Sequence, residues 1–300
     1  MVAGSGNDAG DDRPKGPPGG TSGSLPLTGD LQCMPPWSID VGDGPVVATA
    51  IHSGHELRPE VAEWLAIPET DRLREEDPLT GYWTGVGDSS IRVNRSRFEV
   101  DMNRPRHKAI ADDPEDSWGL TVWRERPPQQ VIDRSLEEYD TFYREVSKLM
   151  DRLVNEWNSV LVLDLHSYNH RREGPDKPAD SAVDNPEINV GTRTMPRHRW
   201  ASLVDGFIAA LRSQQFQHRP LDVRENVKFM GGFFPLWLHS RYPEKVCVLS
   251  LEFKKFFMDE WNGTASITAL EELRIAIRNA VYATRHELAR IRWSSGRSTG

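Results

Sequence analysis

Three hundred residues suit one large domain with a full core, and a hydrophobic share of 37% is ordinary for a globular chain. The net charge is −8, with no Lys/Arg-rich stripe, which argues against a nucleic-acid partner because phosphate neutralisation needs clustered positive charge. Cys33 and Cys247 are too few for a disulfide framework and lack CxxC spacing. No apolar run reaches the roughly 18 residues of a membrane span, and the first residues have no basic-then-apolar signal design, so no membrane partner and a cytoplasmic location are expected.

In chain order, residues 1–36 are rich in Gly, Pro, Ser and Asp, and are expected to be a disordered leader because they cannot bury enough apolar surface to offset ordering. VVATAIHSG (46–54) is short, apolar and β-branched, then breaks at Gly54, which predicts a buried strand feeding a loop. SRFEVDMNR (96–104) alternates and predicts a second strand, stopped by Pro105. Residues 136–157 space apolar side chains by three and four, the pattern of a long amphipathic helix. SVLVLDLHSYN (159–169) predicts a buried strand, 199–216 a second amphipathic helix, 245–257 a further strand and 267–291 a closing helix. The remaining 291–300 is expected to be a flexible tail. Strands separated by such helices predict an α/β domain over 37–290: a mixed, largely parallel sheet with helices on both faces.

In such sheets the carboxyl ends of the strands carry the site. Three of these ends are polar: His52-Ser53-Gly54-His55-Glu56, Asp164-Leu165-His166-Ser167-Tyr168 and Ser250-Leu251-Glu252. Two imidazoles and one further protein ligand leave an open position on zinc, where a water's pKa falls towards neutrality. A neighbouring carboxylate then moves that water's proton, a role that suits Glu252. Asp164, two residues before His166 on the same strand face, is placed to orient the imidazole. Arg104, after the alternating segment, has the forked geometry that grips a carboxylate. Each feature also has a plain structural reading: a strand-end His satisfied by a carbonyl, Glu252 paired with Lys254 or Lys255, Arg104 as one surface arginine among many.

Taken together, IHSGHELRPE, FEVDMNRPR, DLHSYN, NPEINVGT and SLEFKKFF resemble the N-formylglutamate amidohydrolase family, over about residues 45–290. That family is similar in fold to the zinc carboxypeptidases and aspartoacylases. The resemblance implies that His52 and His166 are metal ligands and that Glu252 is the general base. It implies a carboxylate-binding pair at Asn103 and Arg104, Tyr168 at the substrate, and a substrate-side loop with Asn226, Gly231 and Gly232. The first ligand pair departs from the His-x-x-Glu of the carboxypeptidases, because His55 stands fourth. His55 is the preferred third ligand, with Glu56 or the Glu75-Glu76-Asp77 cluster as rivals.

The expected activity is hydrolysis of the amide bond of a small N-acyl, N-formyl-like amino acid bearing a carboxylate. Zn2+ is the expected cofactor, although another divalent metal suits the same ligands. Arg104 either holds the substrate carboxylate or stabilises the oxyanion. One alternative is a carboxypeptidase-like or peptidoglycan-peptide amidase, with Trp83, Trp118 and Trp123 along a longer groove instead of in the packing. Another is a non-catalytic binding protein of the same fold.

Overall fold

The computed structural model describes residues 34–295. Cys33 and almost all of the leader expected over 1–36 therefore lie outside the described residues, as do 296–300 of the expected tail. The strands of the main sheet are β1 (Trp37–Asp40), β2 (Val46–Ala50), β3 (Ser89–Val93), β4 (Val160–Tyr168), β5 (Ile188–Gly191), β6 (Val223–Glu225) and β7 (Val246–Lys254). The helices that matter here are α1 (Glu69–Glu75), α2 (Gln129–Trp157), α3 (Ala201–Arg212), α4 (Phe233–Arg241) and α5 (Ile267–Ser295). The seven strands form one sheet in the order β1-β3-β2-β4-β7-β5-β6. Pairing is parallel from β3 through β2 and β4 to β7, whereas β1 runs antiparallel to β3 and β5 antiparallel to β7. The α/β class and the mixed, mostly parallel sheet expected from the sequence are found.

The central strands are largely apolar on both sides because both faces of the sheet are covered. Alternate residues serve opposite sides. Val47, Val160, Val162, Val246 and Val248 pack with Phe142, Val146 and Leu153 of α2 and Phe234 and Leu238 of α4. Val46, Ala48, Leu161, Leu163, Cys247 and Leu249 pack with Phe207 and Leu211 of α3 and Leu273 and Ile277 of α5. A one-residue slip of β4 or β7 would exchange these two sets, so the side chains at the strand ends are fixed in register. Among the described residues no helix is long and apolar enough to cross a membrane.

Two expectations need correction. The tail does not begin at 291, since α5 continues helically through Ser295. The segment 96–104 is not a strand. It is built of turns, with Glu99 N and Val100 N bonded to Ser96 O at 3.1 and 3.3 Å and Arg104 N to Asp101 O at 3.3 Å. Its apolar residues are buried nonetheless, Phe98 in a satellite cluster with Leu65, Ile67 and Val122, and Val100 and Met102 in the main core. The intervening Glu99 and Asp101 are also buried, so the polar–apolar alternation reflects paired buried carboxylates. Arg58 Nε bonds Glu99 Oε1 at 2.6 Å, Arg95 Nε lies 3.5 Å from the same oxygen, and Arg95 forks onto Glu138 of α2 at 2.9 Å for both bonds.

Candidate active site

The carboxyl ends of β2, β4 and β7 lie side by side. His52 follows β2 by two residues, and its carbonyl accepts from Asp77 N at 3.0 Å. On β4, His166 sits opposite Glu252 of β7, which in turn sits opposite Asn189 of β5. His52, Asp77 and His166 are all buried, and one ligand atom from each lies within 4.8 Å of the others. Asp77 Oδ2 is 2.8 Å from His166 Nδ1 and 3.5 Å from His52 Nδ1. The His52 nitrogen is buried, aimed at this cluster and without a hydrogen-bond partner. Two imidazole nitrogens and a carboxylate converging in this way form a donor set that suits a divalent cation.

Each imidazole is backed by its own carboxylate. His52 Nε2 meets Asp101 Oδ1 at 2.7 Å, and that oxygen also accepts from Asn103 N at 2.7 Å. His166 Nε2 lies 3.1 Å from Asp164 Oδ2, in contact but poorly aligned for a hydrogen bond. Thr49 donates to the other oxygen of Asp164 at 2.9 Å. Such partners fix ring orientation and raise ligand basicity. Burial opposes the charge on Asp101, but Arg97 and His52 outweigh it and hold its pKa well below the carboxylate range. Burial likewise opposes the charge on Asp77, which His166 and His52 hold low. Glu252 differs: it is half-buried, and burial with Asp77 and Asp164 nearby raises its pKa, opposed in part by His166 and Arg97.

Asp77 is positioned from outside the cluster. Lys255, three residues past Glu252 and fully buried, donates to Arg74 O at 2.5 Å, Glu76 O at 2.8 Å and Asn169 Oδ1 at 2.9 Å. Burial lowers its pKa to about 8, which leaves the ammonium protonated at neutral pH. Arg72 Nη1 binds both His55 O at 2.6 Å and Glu76 Oε1 at 2.9 Å. The structure does not bring the expected third ligand to this cluster: His55 is exposed and contributes its backbone carbonyl to this scaffold, Glu56 is exposed too, and of the rivals it is Asp77 that converges with His52 and His166.

A cavity of about 670 Å³ opens over this cluster, lined among others by His52, Asp77, Arg97, Asn103, Arg104, Trp118, His166, Tyr168 and Glu252. Arg104 donates to Asp116 O at 3.3 Å and keeps its guanidinium partly exposed. Tyr168 is held by a hydrogen bond from its hydroxyl to Pro186 O and packs at a tilt against Phe229, with ring centroids 5.3 Å apart. Asn226 does not join them. Its backbone takes a positive φ of 53°, and its amide is spent on Thr192, accepting from the N–H and donating to the hydroxyl at 2.9 Å each. The residue that shapes the 227–232 loop is Asn189, whose Oδ1 accepts from Val227 N and Lys228 N at 2.9 Å and whose Nδ2 donates to Phe229 O at 2.7 Å. Gly232 presses on Asn103 so closely that a Cβ there would lie 2.3 Å from the amide oxygen. Of the three tryptophans considered for a groove, only Trp118 lines the cavity; Trp83 is in the core and Trp123 packs at its edge.

Residues 44–258 match the family model described as N-formylglutamate amidohydrolase. The chain belongs to this family. Among solved structures it is similar to the N-formylglutamate amidohydrolase of Ralstonia eutropha JMP134, at a TM-score of 0.64 and 16% identity over 84% of this chain and 99% of that one. It is also similar to gene product Atu2144 of Agrobacterium tumefaciens, at 0.58 and 17% over 86% and 94%. A protein of Shewanella denitrificans OS-217 described as a carboxypeptidase A reaches only 0.35 and carries no argument. No curated protein matches the chain. At such identities the structural likenesses establish the amidohydrolase family's fold, and site roles must rest on this chain's own geometry.

Proposed function

We propose that this amidohydrolase-family protein cleaves the amide bond of small N-acyl, N-formyl-like amino acids, with Zn2+ held by His52, Asp77 and His166. The observation that carries the reading is the convergence of three buried ligand atoms next to Glu252 at the floor of one cavity. His52, Asp77 and His166 would hold the cation, which when bound would lower the pKa of a water and polarise the acyl carbonyl. Glu252, opposite His166 on the neighbouring strand, would take the proton from the attacking water and deliver it to the departing nitrogen. Arg104, beside Asn103, receives the substrate's carboxylate in a forked contact. The zinc-carboxypeptidase likeness expected from the sequence belongs to this reading, as the same division of labour between a metal, a glutamate and an arginine.

The test is a substrate screen with and without chelator, using N-formyl and N-acetyl amino acids and dipeptides. Chelator-sensitive release of the free amino acid is expected, and Glu252→Gln should abolish it while keeping stoichiometric metal. Turnover that survives complete metal removal, or a fully active Glu252→Gln, would refute the mechanism.

A further inference from the structure

The cavity is lined by both cationic and apolar side chains. Four cationic side chains line it, Arg97, Arg104, Arg172 and Lys255. Arg97 donates to Asp101 Oδ2 at 2.8 Å and lies 4.6 Å over the Trp118 ring. Lys255 is occupied by its three oxygen acceptors. Arg172 faces Glu75, another lining residue, across 3.6 Å. Arg104 differs from these three: its closest carboxylate contact, Asp101 Oδ2, is 3.9 Å away, and its hydrogen bond goes to a neutral carbonyl. One guanidinium is thus poised for a carboxylate. A second carboxylate would have to draw Arg172 away from Glu75, or leave its own charge without a partner.

Another part of the lining is apolar, formed by Phe229, Met230, Phe233 and Leu236, and Leu236 is 47% exposed. This wall adjoins the carboxylate-binding pair directly. Phe234 N donates to Asn103 Oδ1 at 2.9 Å, Phe233 N points to Asn103 O at 3.4 Å, and Gly232 abuts the Asn103 amide. In an amino acid the carboxylate and the side chain share one carbon, so a carboxylate at Arg104 sets the side chain against that wall. A cavity of about 670 Å³ is of the size that encloses drug-sized ligands, and a bulky group fits.

We infer that the preferred substrates are N-acyl monocarboxylic amino acids with a bulky apolar side chain, of the leucine or phenylalanine kind, and not those with a second carboxylate. This inference rests on the proposed function for the place of the carboxylate. The experiment compares kcat/KM for N-formyl-L-leucine, N-formyl-L-phenylalanine and N-formyl-L-glutamate on the zinc-loaded protein. Burial of an apolar side chain predicts a preference for the first two of roughly 10- to 100-fold. Leu236→Arg, at an exposed position the fold tolerates, should shift the ratio towards glutamate by about tenfold. Equal or better turnover of N-formyl-L-glutamate by the unaltered protein, or a ratio untouched by Leu236→Arg, overturns the inference. If none of the three is hydrolysed, the proposed function fails on its own account. Calorimetric binding of the same compounds then decides the selectivity, with tighter binding of the leucine and phenylalanine derivatives supporting it and tighter binding of the glutamate derivative refuting it.

Discussion

Replacing Lys255 with Met tests how the third ligand is held in place. Met has nearly the same length and volume, so the change removes three N–H donors without opening a large void. Three acceptors then lose their donor: the carbonyls of Arg74 and Glu76 and the side-chain oxygen of Asn169. A buried acceptor left unpaired costs about 1–3 kcal/mol, and relief from burying an ammonium ion returns part of that. The net loss of stability should be roughly 2–4 kcal/mol. The Glu76 carbonyl belongs to the peptide that leads into Asp77, so the carboxylate should also lose its aim, and metal affinity should fall by about 10- to 100-fold, the range seen when a ligand's support is removed. Urea unfolding of the metal-free protein measures the first effect, and competition with a chelator of known affinity measures the second. A destabilised variant that binds zinc as tightly as the parent would show that Lys255 supports the fold and does not aim Asp77. Unchanged stability would refute the accounting altogether.

Asp77→Ala should abolish stoichiometric zinc binding while His55→Ala retains it, and metal analysis after dialysis separates them; the reverse pattern would reinstate His55 as ligand. Arg104→Ala should raise KM for N-acyl amino acids far more than for their carboxamides, by about 1.5–3 kcal/mol of lost charged hydrogen bonding, and an equal effect on both would remove its carboxylate role. His239, on α4, is held neutral by burial, which lowers its pKa from the ordinary 6.5 to about 4, and its Nε2 accepts from Val248 N at 3.1 Å. Between those values the unfolded chain binds the proton and the native one does not, so stability falls as pH drops from about 6.5 to 4, by about 3 kcal/mol in all. His239→Gln should flatten that part of the pH profile, and equal slopes in urea titrations of the two proteins would refute the assignment.

The parts of the site legible in the sequence are those that lie on buried strands. β4 and β7 announce themselves as largely apolar runs whose polar residues gather at the carboxyl end, at the sheet edge, which marked His166 and Glu252. His52 was found in the same way. Asp77 was only one of several rivals, because its place depends on where α1 packs, and that is set by Lys255 and by Arg72 through contacts no spacing encodes. The alternation over 96–104 misled for a related reason: a carboxylate paired inside a protein occupies a polar position in the pattern just as a solvent-facing one does. Asp101 stood in a recognised motif without a role, since its link to His52 spans 49 residues. Asn226 and Asn189 are both asparagines beside the same loop, and only the hydrogen bonds reveal that the second one shapes it.

The chain of charges from Glu138 through Arg95 to Glu99 ties the turn beside the cavity to an outer helix. Glu99 belongs to the turn that also carries Arg97, Asp101, Asn103 and Arg104, while Glu138 sits on α2 with part of its side chain in solvent. A substitution of Glu138 on that outer helix would therefore act on the anchoring of this turn through a single guanidinium, that of Arg95, without touching the cavity lining.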